Sequence, residues 1–379
     1  QVWRQLAEHW FSHPYGKRQG NGGSSSRCLE KSDALCLATP LVPALFIFGD
    51  SLVDVGTNYF VPNSTLIADI PPFGETHFHH PNGRYSNGLI PSDFLAWFLN
   101  LPLVPPYLDG NASHAFGANF ASSGAGLLVI TNEDRNIISY TQQINQFYSL
   151  VSKWKAGQPA AAVNEKIAKS IIHINIGSND IITTYFSDSR FQQVPPKYYV
   201  NFLILLYNRS FKALYDAGAR KFAISELGPL GCTPLSRHFV SSELKKQGCY
   251  LPLNYMAKSF NYKLNEMLAQ LRAELPDAKI ITVKSYEIYM DMIRNASKYG
   301  FIETRQNCCG AGEFHAEVAC GMPVPPDKPF KQFLCQDPSK YLFWDLHPTE
   351  QGYRFFSNYL WRGGSGAVAP FNLQKLVTL

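Results

Sequence analysis

Short apolar runs alternate with longer amphipathic segments along the chain from Ala44 onward. The apolar runs have the length and composition of buried strands, and they predict β-strands over residues 44–48, 118–121, 170–176, 221–226 and 279–283. The segments between and after them have helical spacing and predict helices over residues 87–99, 139–155, 197–217, 254–275 and 349–361. Because strands and helices alternate, we expect an α/β protein with a mostly parallel sheet covered by helices on both faces.

One large domain with two flanking segments is expected. Residues 41–364 contain the alternating pattern, with no internal repeat and no second block of composition. Residues 1–40 are expected to form a poorly ordered extension, because residues 20–26 are Gly, Asn and Ser only. Residues 365–379 are expected to form a C-terminal tail.

Composition and charge limit the class of protein. Of the 379 residues, 45% are hydrophobic and only 17% are charged, so the chain can build a sizeable core and is not a disordered protein. The net charge of +5 is small and scattered, which argues against a nucleic-acid partner. No apolar run reaches the ~18 residues that a membrane span needs, so we expect no transmembrane segment.

Cysteines and glycosylation sequons favour the secretory pathway. Four of the eight cysteines lie between Cys308 and Cys335 in a loop rich in Gly and Pro, without the Cys-x-x-Cys pairs typical of zinc sites. We therefore expect disulfides there and no metal. Candidate glycosylation sites are Asn63, Asn111, Asn208 and Asn295. Residues 1–40 lack the pattern of a secretory signal, so a signal would have to lie upstream.

Ser51 follows the first predicted strand in the run Gly49-Asp50-Ser51-Leu52. A buried strand that ends in a glycine-led turn places the next polar side chain at the carboxyl edge of the sheet, where open α/β folds keep their ligand sites. Ser51 is therefore a candidate nucleophile. Taken alone, the same motif is more typical of a serine in a turn or at a helix N-terminus.

Two further segments follow predicted strands. The block over residues 119–126 contains Gly124, whose backbone N–H can approach an oxyanion closely because glycine has no side chain. The run over residues 174–180 contains Asn179, whose neutral amide can stabilise developing negative charge without ionising. Each segment alone is also typical of a tight turn, so the interpretation depends on their occurring together with Ser51.

A fourth segment, near the C-terminal end, carries acid–base chemistry. His347 lies directly before a predicted helix that Pro348 would start. His347 is a candidate general base for Ser51, and Asp345 is a candidate for orienting the imidazole. The chain has ten histidines, so His347 gains weight only from its place after the other three segments.

Together the four segments resemble the GDSL esterase/lipase family of SGNH hydrolases, over residues 44–364. The matching blocks are Gly49-Asp50-Ser51-Leu52, Asn119-Phe120-Ala121-Ser122-Ser123-Gly124-Ala125-Gly126, Ile176-Gly177-Ser178-Asn179-Asp180 and His347-Pro348-Thr349-Glu350. The runs over residues 72–76, 82–88, 228–234 and 308–310 are similar to the plant branch of this family. The Gly-x-Ser-x-Gly elbow of α/β-hydrolases is absent, which agrees with the resemblance.

The resemblance implies a flavodoxin-like three-layer α/β/α sandwich with a central, mostly parallel five-stranded sheet. It implies a secreted, monomeric serine esterase or lipase that hydrolyses lipid or small acyl esters without a metal or organic cofactor. Ser51 would attack the ester, His347 would activate Ser51 and later the water, and Asp345 would orient His347. The oxyanion hole would consist of the backbone N–H groups of Ser51 and Gly124 and the side-chain amide of Asn179.

One departure from the family concerns the acid. The family spaces acid and base as Asp-x-x-His, whereas this chain has Asp345-Leu346-His347, one residue shorter. Each residue spans up to ~3.3–3.6 Å of chain, so two outcomes stay open. Either the Asp345 carboxylate reaches His347 Nδ1, or a backbone carbonyl or a water takes its place.

Two other functions stay open at this point. An acyltransferase would use the same acyl-serine site and pass the acyl group to an alcohol. A catalytically weakened binding or defence protein would follow if the short spacing separates the acid from the base.

Overall fold

The computed structural model describes residues 39–239 and 248–379, so the expected extension lies almost wholly outside the described residues. The strands are β1 (Leu45–Gly49), β2 (Gly117–Asn119), β3 (Ile171–Asn175), β4 (Lys221–Ser225), β5 (Lys279–Val283), β6 (Glu303–Asn307), β7 (Cys309–Gly310), β8 (Phe333–Leu334), β9 (Tyr341–Phe343) and β10 (Val368–Ala369). The α-helices are α1 (Pro91–Phe98), α2 (Tyr140–Gly157), α3 (Ala160–Lys169), α4 (Ser189–Gln192), α5 (Pro196–Asp216), α6 (Pro234–His238), α7 (Leu251–Glu274), α8 (Ser285–Arg294), α9 (Glu350–Arg362) and α10 (Leu373–Val377).

Six strands form the central sheet, in the order β10-β5-β4-β3-β1-β2. The five predicted strands are all present and pair in parallel, with Leu45 opposite Ile171 at the start of β1 and β3. The predicted count of five is too low, because β10 adds an antiparallel edge strand beside β5. A strand of two residues carries no periodic pattern, so the sequence did not reveal it.

Two hydrophobic clusters cover the two faces of the sheet. Along β1, Phe46 and Phe48 face the cluster formed with α2, α3, α5 and α7, whereas Leu45 and Ile47 face the cluster formed with α1, α8, α9 and α10. The predicted three-layer α/β/α sandwich is therefore confirmed. Because helices cover both faces, a ligand site is expected at an edge of the sheet.

The segment expected to be a C-terminal tail contributes to this core. Val368 and Ala369 of β10 pair with the end of β5. Helix α10 follows, and it buries Leu373 and Leu376 completely. The last residues of the chain thus close one edge of the sheet.

The predicted helices correspond to α1, α2, α5, α7 and α9 within a few residues. The sequence did not predict α3 or α8. Helix α3 buries only Val163 and Ile167, so its apolar pattern is weak. Helix α8 was missed although its polar residues Glu287, Asp291 and Arg294 recur at helical spacing.

The loop rich in Gly and Pro is linked by disulfides, as expected. Cys308 pairs with Cys335, and Cys309 pairs with Cys320. These four cysteines pack around Trp344 in a small separate cluster beside the sheet pair β6 and β9. A third disulfide joins residues 232 and 249, and the cysteines at 28 and 36 lie outside the described residues.

No helix in the two described stretches combines the length and apolar character needed to cross a bilayer.

Candidate active site

The carboxyl edge of the sheet brings the predicted nucleophile and base together. Ser51 follows β1, and His347 lies between β9 and α9. His347 Nε2 lies 2.8 Å from Ser51 Oγ, and His347 Nδ1 lies 3.0 Å from Asp345 Oδ1. The imidazole therefore stands between a hydroxyl and a carboxylate, which is the order that activates a serine.

The short spacing between acid and base forms a tight turn. Asp345 Oδ1 also accepts the backbone N–H of His347 at 2.9 Å, and the Trp344 N–H donates to the His347 carbonyl at 2.8 Å. This turn folds the carboxylate back onto the ring two residues later. Asp345 and His347 are both buried, which favours a stable contact between them. Of the two outcomes left open by the sequence, the structure therefore has the one in which the carboxylate reaches the ring.

Close approach between β1 and β3 determines where the Ser51 turn begins. Gly49 has a φ of 152°, and a Cβ at this position would collide with the carbonyl oxygen of Asn175. The Asp50 N–H donates to the same carbonyl at 3.2 Å, and Asp50 Oδ1 accepts the Leu52 N–H at 3.1 Å. These contacts present Ser51 at the end of the central strands.

The three predicted oxyanion donors differ in their positions. Asn179 lines the cleft beside Ser51, and its Nδ2 donates to the Ala125 carbonyl at 2.9 Å, which orients the amide and leaves its second N–H for a ligand. The Ser51 N–H makes no hydrogen bond within the described part of the chain. Gly124 has a φ of 85°, and its carbonyl accepts from Asn132 at 2.8 Å, but Gly124 is not among the residues that line the cleft.

Two buried carboxylates that the sequence analysis did not single out join the loops of the site. Asp54 accepts the N–H and the hydroxyl of Ser123 at 2.8 and 2.9 Å. Asp180 accepts the N–H groups of Leu127 and Leu128 at 2.8 and 2.9 Å. Burial raises the pKa of Asp54, and it raises the pKa of Asp180 to about 6. The sequence feature that could have identified Asp54 and Asp180 is that each is an acidic residue shortly after a glycine-led turn.

Residues 82–89 contact His347 and the start of α9. The Tyr85 ring lies 4.7 Å from the His347 ring, measured between centroids. Asn87 Oδ1 accepts the Glu350 N–H at 2.9 Å, and Glu350 Oε2 accepts the Leu89 N–H at 3.1 Å. These two hydrogen bonds join the loop before α1 to the start of α9, just after His347.

A cleft opens at Ser51, with a cavity volume of about 90 Å³. Its apolar walls include Leu52, Pro91, Ile182, Pro229, Leu230, Phe343, Leu346 and Phe356. Polar side chains near the strand ends also line it, namely Asp50, Asn175, Ser178, Asn179, Glu226 and Ser285. Burial raises the pKa of Asp50 to about 7. A mostly apolar concavity with a few polar groups suits a small organic molecule or an acyl chain.

One cluster of possible metal ligands occurs in residues 39–239 and 248–379. It consists of His238, Glu313 and Glu317, whose ligand atoms lie within 4.8 Å of one another. None of the three lines the cleft. This cluster is therefore separate from the Ser51 site.

The four glycosylation candidates lie in different settings. Asn63 and Asn111 are exposed and lie in turns. Asn295 is exposed, but its Nδ2 donates to Asp291 at 2.6 Å. Asn208 lies on α5 and is only half-buried, with its Oδ1 enclosed. Asn63 and Asn111 are thus the more accessible acceptors.

Comparison with known proteins places this geometry in a family. The family model described as "GDSL-like Lipase/Acylhydrolase" matches residues 45–360. "GDSL esterase/lipase 6" of Arabidopsis thaliana is 35% identical over 354 residues, which cover 91% of this chain and 93% of that protein. "GDSL esterase/lipase 7" of the same plant is 33% identical over 350 residues, covering 90% and 93%. "GDSL esterase/lipase 1" is 33% identical over 342 residues, covering 89% and 90%.

The match spans all four motif segments and the five parallel strands β1 to β5. The chain belongs to the GDSL-like lipase/acylhydrolase family of carboxylic ester hydrolases.

Proposed function

We propose that this carboxylic ester hydrolase works through an acyl-serine intermediate on Ser51, with His347 as general base and acid and Asp345 as the group that orients it. The observation that carries the proposal is the hydrogen-bonded series from Ser51 Oγ through His347 to Asp345, with distances of 2.8 and 3.0 Å. This arrangement lets a weakly acidic hydroxyl act as a nucleophile, because the imidazole takes its proton during attack.

The reaction has two half-steps. Ser51 Oγ attacks the ester carbonyl carbon, and its proton passes to His347 Nε2. The bond to the alcohol oxygen then breaks, and the alcohol leaves with that proton. A water attacks the acyl carbon in the second half-step while His347 takes one of its protons. Return of that proton to Ser51 Oγ releases the carboxylic acid.

The negative charge on the carbonyl oxygen needs donors that are already in place. The Ser51 N–H and the second N–H of Asn179 Nδ2 suit this role, because the first makes no hydrogen bond within the described residues and the second is oriented by Ala125. We assign the third donor to the Gly124 N–H, in the loop that the Asn179 amide contacts next to Ala125.

The cleft supports esters with an apolar chain as substrates. Its walls are formed by aliphatic and aromatic side chains, which gain from burying hydrocarbon. Lipid esters and small acyl esters both meet this description.

A fluorophosphonate probe tests the nucleophile directly. The wild type should form a covalent adduct on Ser51 and lose its ester turnover, and Ser51→Ala should abolish labelling. Ser149→Ala is the matched control, because Ser149 is exposed on α2 and bonds only the Asn145 carbonyl of its own helix among the described residues. Labelling of Ser51→Ala at the wild-type level would overturn the assignment.

Neither alternative function gains support from the site. The weakened binding protein rested on the short acid–base spacing, and the contact between Asp345 and His347 removes that reason. The acyltransferase shares the first half-step, and no described residue favours an alcohol over water as acceptor. Product analysis with a competing alcohol separates transfer from hydrolysis.

We also infer that the protein is a secreted, glycosylated monomer. Three disulfides among the described residues support secretion, because such bonds persist in oxidising compartments. Exposure of Asn63 and Asn111 supports glycosylation there. Secretion from plant cells, a mass loss after glycosidase treatment, and a monomer mass by light scattering are the expected results.

A further inference from the structure

Glu226 is one of the two carboxylates that line the cleft among the described residues, and it follows a different strand from Ser51. It follows the last residue of β4, its N–H donates to the Val283 carbonyl at 3.0 Å, and only 8% of the residue is exposed. The sheet order puts β3 between β1 and β4, so two strand spacings separate Glu226 from Ser51. Two spacings correspond to about 10 Å. Glu226 therefore lines the cleft at a distance from the reacting bond.

One carboxylate oxygen of Glu226 has a partner and the other does not. Oε1 accepts from Asn265 Nδ2 at 2.6 Å, whereas Oε2 has no hydrogen bond within the described residues. Burial raises the pKa of Glu226. The nearby charge of Lys284 acts in the other direction and favours the ionised carboxylate. Oε2 is thus an acceptor that a bound molecule can satisfy.

Ser285 adds a second polar group at the same end of the cleft. It follows β5 next to Lys284, it lines the cleft, and its Oγ makes only a long contact of 3.4 Å with the Val283 carbonyl. A hydroxyl group can donate to Glu226 and accept from Ser285 at once. An ammonium group can donate to both side chains, but the positive charge of Lys284 near Glu226 would repel it. The pair therefore suits a neutral hydroxyl.

The acyl group is the part of the ester that fits this end of the cleft. After the first half-step the alcohol leaves, whereas the acyl group stays bound to Ser51. A mostly apolar cleft beside Ser51 suits the part that stays. We propose that Glu226 selects acyl chains that carry a hydroxyl group about 10 Å from the ester carbon, with Glu226 as the acceptor and Ser285 as the donor. This inference rests on the proposed function of Ser51.

The test compares matched p-nitrophenyl esters of one chain length. Their acyl chains end in a methyl, a hydroxyl, a methoxy or an ammonium group. The wild type should hydrolyse the hydroxyl ester with a kcat/KM about tenfold or more above the methyl ester. The methoxy ester should lose this advantage, because it has an oxygen but no donor.

Glu226→Gln keeps the size of the side chain and an oxygen for Asn265, but turns an N–H towards the cleft. The hydroxyl-over-methoxy ratio should then fall about tenfold, while turnover of the methyl ester persists and reports folding. Glu287→Gln is the matched control. Glu287 is exposed on α8 and its charge acts on Glu226, but it does not line the cleft. The hydroxyl-over-methoxy ratio should therefore not change in this variant.

Two results would overturn the inference. One is an equal hydroxyl-over-methoxy ratio in the wild type and in Glu226→Gln. The other is a wild-type preference for the ammonium ester, or for a hydroxyl on the alcohol side. If Glu226→Gln does not fold, the wild-type ranking of the four esters decides the matter alone. Failure of the proposed function has a different signature, since Ser51→Ala would then hydrolyse all four esters at the wild-type rate.

Discussion

The two halves of the active site are held in different ways. Ser51 follows β1, which lies between β3 and β2 in the central sheet with every residue buried. His347 lies on a loop outside this sheet, after the short strand β9, which pairs with β6 and also bridges to Pro348 through Phe343. Two disulfides and the buried Trp344 pack beside that loop. Core burial thus positions the proposed nucleophile, whereas covalent links and local hydrogen bonds position the proposed base.

This difference predicts different sensitivity. The strand side depends on a large apolar core that no single exposed contact controls. The base side depends on a small cluster and a three-residue turn, so single changes there should impair turnover before they unfold the sheet. The predictions below are ordered by their effect on turnover.

Loss of the base should have the largest effect. We expect His347→Ala to lower kcat by about 10⁶-fold, because Ser51 then has no group to take its proton. Steady-state hydrolysis of a p-nitrophenyl ester measures this. The sheet should keep its far-ultraviolet circular dichroism and unfolding midpoint. A loss of less than about 100-fold would mean that another group serves as base.

Loss of the acid should have the next largest effect. Asp345→Asn should lower kcat by about 10⁴-fold, because the amide stabilises the wrong imidazole tautomer and not the imidazolium. A second variant with one glycine inserted before His347 should also be slower than the wild type, since the contact between Asp345 and His347 is already complete. Faster hydrolysis by the insertion variant would show that the short turn impairs the triad.

Removal of a disulfide near His347 should make turnover fail before the central sheet unfolds. Cys308→Ala with Cys335→Ala should cost about 2–5 kcal/mol of local stability. We expect urea to abolish turnover at a lower concentration than it abolishes the circular dichroism of the sheet. Cys232→Ala with Cys249→Ala is the control, because that disulfide lies outside the Trp344 cluster. Coincident loss of both signals in the Cys308 and Cys335 variant would contradict the comparison.

A change inside β3 should have the smallest effect on turnover. Burial lowers the pKa of His173 from 6.5 to about 4, because the charged ring would be enclosed in the sheet. The unfolded chain therefore binds more protons than the folded protein between these pH values, and stability falls as the pH falls from 6.5 to about 4. The slope reaches about 1.4 kcal/mol per pH unit.

His173→Gln should flatten that slope and leave neutral-pH turnover unchanged, since residue 173 does not line the cleft. Urea unfolding at several pH values measures the slope. An unchanged slope in the variant would show that other groups cause the acid destabilisation.

The sequence by itself determined the five parallel strands and the candidate residues of the site. Five apolar runs predicted β1 to β5 within a few residues, because buried parallel strands need continuous apolar side chains. Ser51 and His347 were identified because one follows a predicted strand and the other precedes a predicted helix, and Ser51 Oγ lies 2.8 Å from His347 Nε2. Local patterns carry this information, since each strand and its following turn are contiguous in the chain.

Only the tertiary structure decided the rest. The reach of Asp345 depends on a turn closed by Trp344 and His347, which residue spacing does not reveal. The place of β10 depends on a free edge beside β5, because two residues have no pattern of their own. Glu226 lies in the cleft because β4 follows β3 in the sheet order. These features arise from contacts between distant segments, and such contacts form only when the core brings the segments together.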